Sequence, residues 1–189
     1  MSENASALHA RSVNALRTPP VQEWDSWPFT GGVEVKPLAP PTAELTREGE
    51  GGAGCPACAK PDSDYFWTDD NWRMMALEPT GLPIVVILEP RVHVDAPGDV
   101  DDGFAAQMGV MLARGERAVR SVGGVGRVHV CRWGEGAEHM HWWFMARPEG
   151  LTQLASCFAV IWDDILPPVP REVWTANVAH VKAAMEASA

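Results

Sequence analysis

The chain has 189 residues, with 25 acidic against 15 basic side chains and a net charge of −10. That length suits one domain with a tail, large enough to bury a core without disulfide staples. The acidic balance argues against general attraction to nucleic acid or anionic membrane. No apolar run approaches the ~20 residues that span a bilayer. The first 18 residues lack the apolar stretch of a secretory signal, so a soluble, cytoplasmic protein is expected.

In chain order, residues 1–50 read as an extended arm. Pro19-Pro20, Pro40-Pro41 and the glycines of 49–54 oppose regular structure. Its first dozen residues are expected to be loose, and Trp24, Trp27 and Phe29 are candidate anchors onto the domain. A compact domain is expected over 51–150 and a helical extension over 151–189. Residues 71–77 and the apolar run 82–89 read as a β-hairpin about the Pro79-Thr80-Gly81 turn. Pro90-Arg91-Val92-His93 follows directly. Acidic Asp99, Asp101 and Asp102 suit a helix N-terminus. Phe104, Met108, Met111, Leu112 and Val119 recur at helical spacing, which predicts an amphipathic helix over 101–121. The glycine run 123–126 follows a helix and lacks the Lys-Ser/Thr of a phosphate loop, so it reads as a cap and turn. Strands are predicted over 127–133 and 138–146, then helices over 151–165 and 171–187. The fold class is α+β.

The chemistry concentrates in a few residues. Cys55 and Cys58 form a C-x-x-C pair, which in a reducing compartment points to a metal clamp or a redox site. Zinc takes four Cys or His donors in a tetrahedron. His93, closing the hairpin, and His139, on the last predicted strand, complete such a set. Side chains on a strand alternate faces. His139, His141 and Trp143 therefore share one face, and Met140, Trp142 and Phe144 share the other, core-facing one. His139 then ligates while His141 stays free beside it, as nucleophile or general base. His129 on the neighbouring strand reads as a half-buried structural histidine. Cys131 and Cys157 read as buried thiols, His180 as solvent-facing, and Asp163-Asp164 as a solvated helix face.

The segment Glu138-His139-Met140-His141-Trp142-Trp143-Phe144 resembles the signature of the histidine triad (HIT) superfamily. The order hairpin, Pro-x-x-His turn, helix and two strands also looks like that fold, over about 55–148. The resemblance implies a HIT-like antiparallel sheet with one central amphipathic helix. In the zinc-bearing branch, which includes galactose-1-phosphate uridylyltransferases and bacterial nucleotide hydrolases, it implies Zn2+ on Cys55, Cys58, His93 and His139. It implies His141 as the nucleophile of a nucleotidyl transferase or nucleotide hydrolase, and a homodimer paired through sheet or helix. The substrate is then a nucleotide or nucleotide-like small molecule, and a backbone carbonyl near the 134–136 turn is the expected acceptor for the other His141 N–H. Trp143 stands where the third histidine, or the Gln of the uridylyltransferases, is found. Trp143, Arg132 and Glu135 are the candidate substrate contacts, with Trp143 offering a stacking face and Arg132 and Arg147 offsetting Glu135 and Glu138. Two alternatives remain open. One is a non-catalytic binding or structural protein with a decayed triad. The other is a diverged enzyme using Glu135 or Glu138 on a non-nucleotide substrate.

Overall fold

The computed structural model describes residues 6, 9–10, 20, 23–31, 34–37 and 39–187. They divide into two compact units, with the boundary between Thr46 and Arg47. In the first unit the Trp27 N–H donates to the Trp24 carbonyl at 2.9 Å, and the Trp27 ring meets Phe29 edge-on at 5.4 Å. The expectation of a loose first dozen residues falls mostly outside the described residues.

The second unit is built on a five-stranded, wholly antiparallel sheet. Its strands are β1 (Trp67–Thr68), β2 (Trp72–Ala76), β3 (Val85–Pro90), β4 (Val125–Cys131) and β5 (Trp142–Pro148), in the spatial order β1-β2-β3-β5-β4. β3 is buried along its whole length. It is covered on both faces, which is why its sequence reads as a continuous Val/Ile/Leu run rather than an alternation. The predicted hairpin forms, with Met74 opposite Leu88 and Arg73 opposite Glu89. β3 starts later than the apolar run because the Leu82 N–H donates to the Asp163 carboxylate at 2.9 Å, and Pro83 has no N–H for the ladder.

Four helices complete the unit: α1 (Pro56–Ala59), α2 (Asp102–Arg120), α3 (Phe158–Ile165) and α4 (Arg171–Ala187). Asp101 caps α2, accepting from the Phe104 N–H at 2.8 Å. Met108, Met111, Ala118 and Val119 of α2 join Val181 and Met185 of α4 in the main core, against Trp72, Met74, Val86, Leu88 and Phe144 of the sheet. Gly115 lets α2 approach closely: a Cβ there would lie 2.9 Å from the Phe144 ring. The other face carries a smaller cluster of Leu82, Val85, Met145 and Leu154, with Trp143, Cys131, Val160 and Leu166 packed against it. Among the described residues no helix is long and apolar enough to cross a membrane.

Two expected elements are shorter than the sequence suggests. The helix predicted over 151–165 is helical only over Phe158–Ile165, because Gly150 (φ 81) and Ser156 (φ 55) turn the chain. The strand predicted from 138 begins at Trp142. Residues 138–141 lie outside the ladder, with the Glu138 N–H on the Glu48 carbonyl (2.9 Å) and the Met140 N–H on that of Val94 (2.7 Å). The alternation of faces persists. Met140 and Phe144 lie in the main core with Trp142 against it, and Trp143 and Met145 lie on the other side.

Candidate metal centre and adjoining pocket

Cys55 is the N-cap of α1 and Pro56 its first residue, a position where the missing N–H costs nothing. The single turn carries both cysteines round to one side. Arg73 of β2 fixes it from below, donating to the Ala57 carbonyl at 2.9 Å and the Lys60 carbonyl at 3.2 Å. His93 follows the end of β3 on a turn held by Arg91, whose guanidinium pairs both Asp62 carboxylate oxygens at 2.8 and 2.7 Å. His139 enters from the segment before β5. It is 1 % exposed.

The four donor atoms of Cys55, Cys58, His93 and His139 lie within 4.8 Å of one another. Cys55 Sγ is 3.5 Å from His139 Nδ1, and Cys58 Sγ is 3.6 Å from both His93 Nδ1 and His139 Nδ1. With metal–sulfur bonds of about 2.3 Å and metal–nitrogen bonds of about 2.0–2.1 Å, a tetrahedral ion sets its S and N donors about 3.5 Å apart. The three S···N distances match that edge, so the residues fit a tetrahedral metal ion. Burial lowers the His139 pKa, which favours the neutral, ligating imidazole. Burial pushes the Cys58 thiol up, with Cys55 beside it adding to the effect.

The two histidines differ in how their outer nitrogens are held. His139 Nε2–H donates to the Pro90 carbonyl at 2.9 Å, which leaves Nδ1 as the ligating atom. His93 Nε2 is buried without a hydrogen bond and lies 4.0 Å from Glu138 Oε1. Glu138 accepts the Gly51 N–H at 3.0 Å and sits 3.9 Å from Arg47. Gly49, at φ 78, passes so close to Cys55 that an added Cβ would lie 2.8 Å from the cysteine Cβ. Only glycine suits both that angle and that approach.

Beside the cluster is a pocket of about 220 Å³, lined by His139, His141, Lys60, Met75, Ile87 and Glu89 among others. His141 Nδ1–H donates to the His139 carbonyl at 2.8 Å, and Nε2 carries no hydrogen bond among the described residues. The acceptor is thus the backbone of the histidine two residues earlier, not the 134–136 turn. Glu89 is buried and neutralised by Arg73 at 3.0 Å and by the Tyr65 hydroxyl. Burial and Glu89 push the Tyr65 phenol above its ordinary value, which keeps it a donor. Lys60 is half-buried, with Nζ 3.4 Å from the Met75 sulfur.

The other expected site residues are placed as follows. Trp143 is half-buried with its ring 6.2 Å from that of His141 and 5.8 Å from that of Trp133, and its indole N–H is buried without a partner. Arg132 turns away and donates to the Asp95 carbonyl (2.6 Å) and carboxylate (3.3 Å). Glu135 is exposed, and neither it nor Arg132 lines the pocket beside His141. Arg147 donates to the Pro148 and Leu151 carbonyls. Cys157 is exposed rather than buried, and Cys131 is half-buried. Asp163 is no solvated residue: it receives the Leu82 N–H, whereas Asp164 is exposed. His180 is exposed, beside the Ser121 hydroxyl at 3.1 Å.

Sequence reasoning missed Lys60, Arg73 and Glu89. A signal was available for the pair: each charge interrupts an apolar strand, and a hairpin closed near Gly81 sets Arg73 opposite Glu89.

No family model and no curated protein matches the sequence. Solved structures do match in fold. A histidine triad protein from Marinobacter aquaeolei VT8 superposes with a TM-score of 0.53 at 16 % identity, over 67 % of this chain and 93 % of that one. A hypothetical histidine triad nucleotide-binding protein from Sulfolobus tokodaii strain7 gives 0.53 at 12 % identity, over 70 % and 93 %. A histidine triad protein from Bradyrhizobium japonicum gives 0.51 at 17 %, over 66 % and 90 %. The fold of the second unit is therefore that of the histidine triad proteins, α+β with an antiparallel sheet.

Proposed function

We propose that the chain binds one zinc ion through Cys55, Cys58, His93 and His139 and transfers nucleotidyl groups through His141. The donor set supports zinc, because two thiolates and two imidazoles in a tetrahedron suit that ion and not the hard cations. Four protein donors would fill the shell of such an ion, so it would serve as a cross-link and leave no position for substrate. Its ligands come from three separate segments, so it ties α1 and the turn after β3 to the segment that carries His141.

The observation that carries the catalytic reading is the 2.8 Å hydrogen bond from His141 Nδ1–H to the His139 carbonyl. It puts the proton on Nδ1 and leaves the Nε2 lone pair free in the pocket. Nε2 attacks the α-phosphorus of a bound nucleotide, and the N–P bond forms as the P–O bond to the leaving group breaks. The carbonyl stabilises the cationic imidazole of the adduct. Water or a phosphate-bearing acceptor then attacks the phosphorus, the N–P bond breaks, and the free imidazole is restored. Lys60 is the lysine that lines this pocket and supplies positive charge toward the phosphate. Trp143, whose ring lies 6.2 Å from that of His141 without lining the pocket, has no dissociable proton for the leaving oxygen. Leaving groups of low pKa, such as pyrophosphate, are therefore favoured over alkoxides and amides.

The test is incubation of the whole chain with α-³²P nucleoside triphosphates and with dinucleotides, followed by intact-mass measurement. A covalent nucleotidyl adduct is expected in the native protein and not in His141→Ala. An adduct that survives His141→Ala would overturn the assignment. A binding protein without turnover is the second reading, favoured by Trp143 at the place of a proton donor. Saturable nucleotide binding with no mass increase would identify it.

A further inference from the structure

A second cavity lies on the same sheet face, toward the β4 edge. It encloses about 500 Å³ between β4 and the segment that leads into α3, and its lining includes His129, Cys131, Trp133, Met145, Cys157 and Val160. It shares no lining residue with the pocket beside His141. Trp133, which lines this cavity, meets the Trp143 ring with centroids 5.8 Å apart, and Trp143 lies 6.2 Å from the His141 ring. A volume of this size suits a small organic molecule.

Three features specify what it takes. The first is an orphaned acceptor. The Leu154 backbone faces the His129 ring as an acceptor, and Nε2 is buried with no partner. Burial lowers the His129 pKa, which favours the neutral ring, and with the ring proton on Nδ1 the Nε2 atom presents a lone pair. A buried polar atom left unpaired is costly, and such atoms in folded proteins are nearly always satisfied by a partner. The second is the lining. Cys131, Met145 and Cys157 set three sulfur atoms around the space, and polarisable sulfur packs well against aromatic rings. The third is the bend at Ser156, the one non-glycine residue with positive φ among the described residues. It delivers Ser156 and Cys157 to the cavity wall, and strained residues of this kind cluster at ligand sites. The space lies between the sheet and α3, with Met145 on one side and Ala159 and Val160 of α3 among its lining.

We infer that this cavity is a second small-molecule site, which takes a planar aromatic ligand whose N–H or O–H donates to His129 Nε2. The site is independent of the chemistry at His141.

The experiment is calorimetric titration of the full chain with indole and with 1-methylindole, which has the same shape but no N–H. Indole is expected to saturate one site per chain, with 1-methylindole roughly tenfold weaker, the loss expected for one hydrogen bond to a buried acceptor. In His129→Leu the two probes bind alike, because the acceptor is gone. His141→Ala keeps the indole site, so failure at His141 and failure here are read separately. Val160→Trp fills the space and abolishes binding of both probes. Should that variant fail to fold, the comparison of native protein with His129→Leu decides alone. Indole that does not saturate, equal binding of the two probes to the native protein, or unchanged discrimination in His129→Leu would each overturn the inference.

Discussion

Replacing His139 by alanine separates a metal ligand from its free neighbour. The side chain is 1 % exposed, and its Nε2–H is the partner of the Pro90 carbonyl at 2.9 Å. Its removal leaves that carbonyl unpaired, at about 1–3 kcal/mol. It also opens a cavity in a closely packed region, where truncation of a large side chain costs about 2–5 kcal/mol. A combined loss of roughly 3–8 kcal/mol corresponds to a fall in Tm of about 6–32 °C for a chain of this size. Loss of the metal adds to it. His141→Ala removes a half-buried side chain with one hydrogen bond, worth about 0.5–1.5 kcal/mol. It should therefore melt within a few degrees of the native protein. Thermal melts by circular dichroism, with metal content per chain from plasma mass spectrometry, distinguish the two. His139→Ala is expected to lose the metal and most of the stability, and His141→Ala to keep both. Equal metal loss in the two variants, or a full metal complement in His139→Ala, would refute the assignment.

Arg73→Met leaves Glu89 buried without its cation, a loss of about 3–5 kcal/mol in a urea titration. It also frees the Ala57 and Lys60 carbonyls, so transfer of metal to a competing chelator should speed up. Trp143→His restores an ionisable donor beside His141, and adduct formation from dinucleotides, followed by intact mass, should rise from the native level. An unchanged rate would leave Trp143 as packing against the second cluster. Asp163→Asn tests the half-buried carboxylate of α3 that accepts the Leu82 N–H. Burial raises the Asp163 pKa, so the fold favours the protonated form. Its destabilising effect is absent below the unfolded-state pKa, grows as pH rises toward the folded-state pKa, and is fully present above it. The asparagine keeps the acceptor for the Leu82 N–H. Its Tm gain over native protein should thus be larger at pH 7 than at pH 4, and a gain that does not change with pH would contradict this.

The elements legible in the sequence are those governed by local periodicity. The amphipathic spacing of Phe104, Met108, Met111 and Val119 placed α2 to within a residue at each end, and the acidic group before it marked the cap. The period of two in 139–144 assigned Met140 and Phe144 to the main core although the segment before Trp142 is not a strand. The C-x-x-C spacing made Cys55 and Cys58 readable as a pair, the Pro-x-x-His turn and the His-Met-His segment of the resemblance added His93 and His139, and the fold brings the four donor atoms within 4.8 Å of one another.

Tertiary structure decided what depends on which distant segments meet. Arg132 looked available for a substrate, but Asp95, 37 residues away, takes its guanidinium, and Arg47 pairs the same carboxylate at 2.8 Å. Long charged side chains have many rotamers and go to the nearest desolvated partner, which no spacing rule foretells. The acceptor of His141, the burial of Glu89 between Arg73 and Tyr65, and the cavity beneath α3 share that origin. Each arises where segments far apart in the chain close on one another. Backbone and side-chain periodicity specify the face a residue lies on, and the packing of remote segments specifies what it meets there.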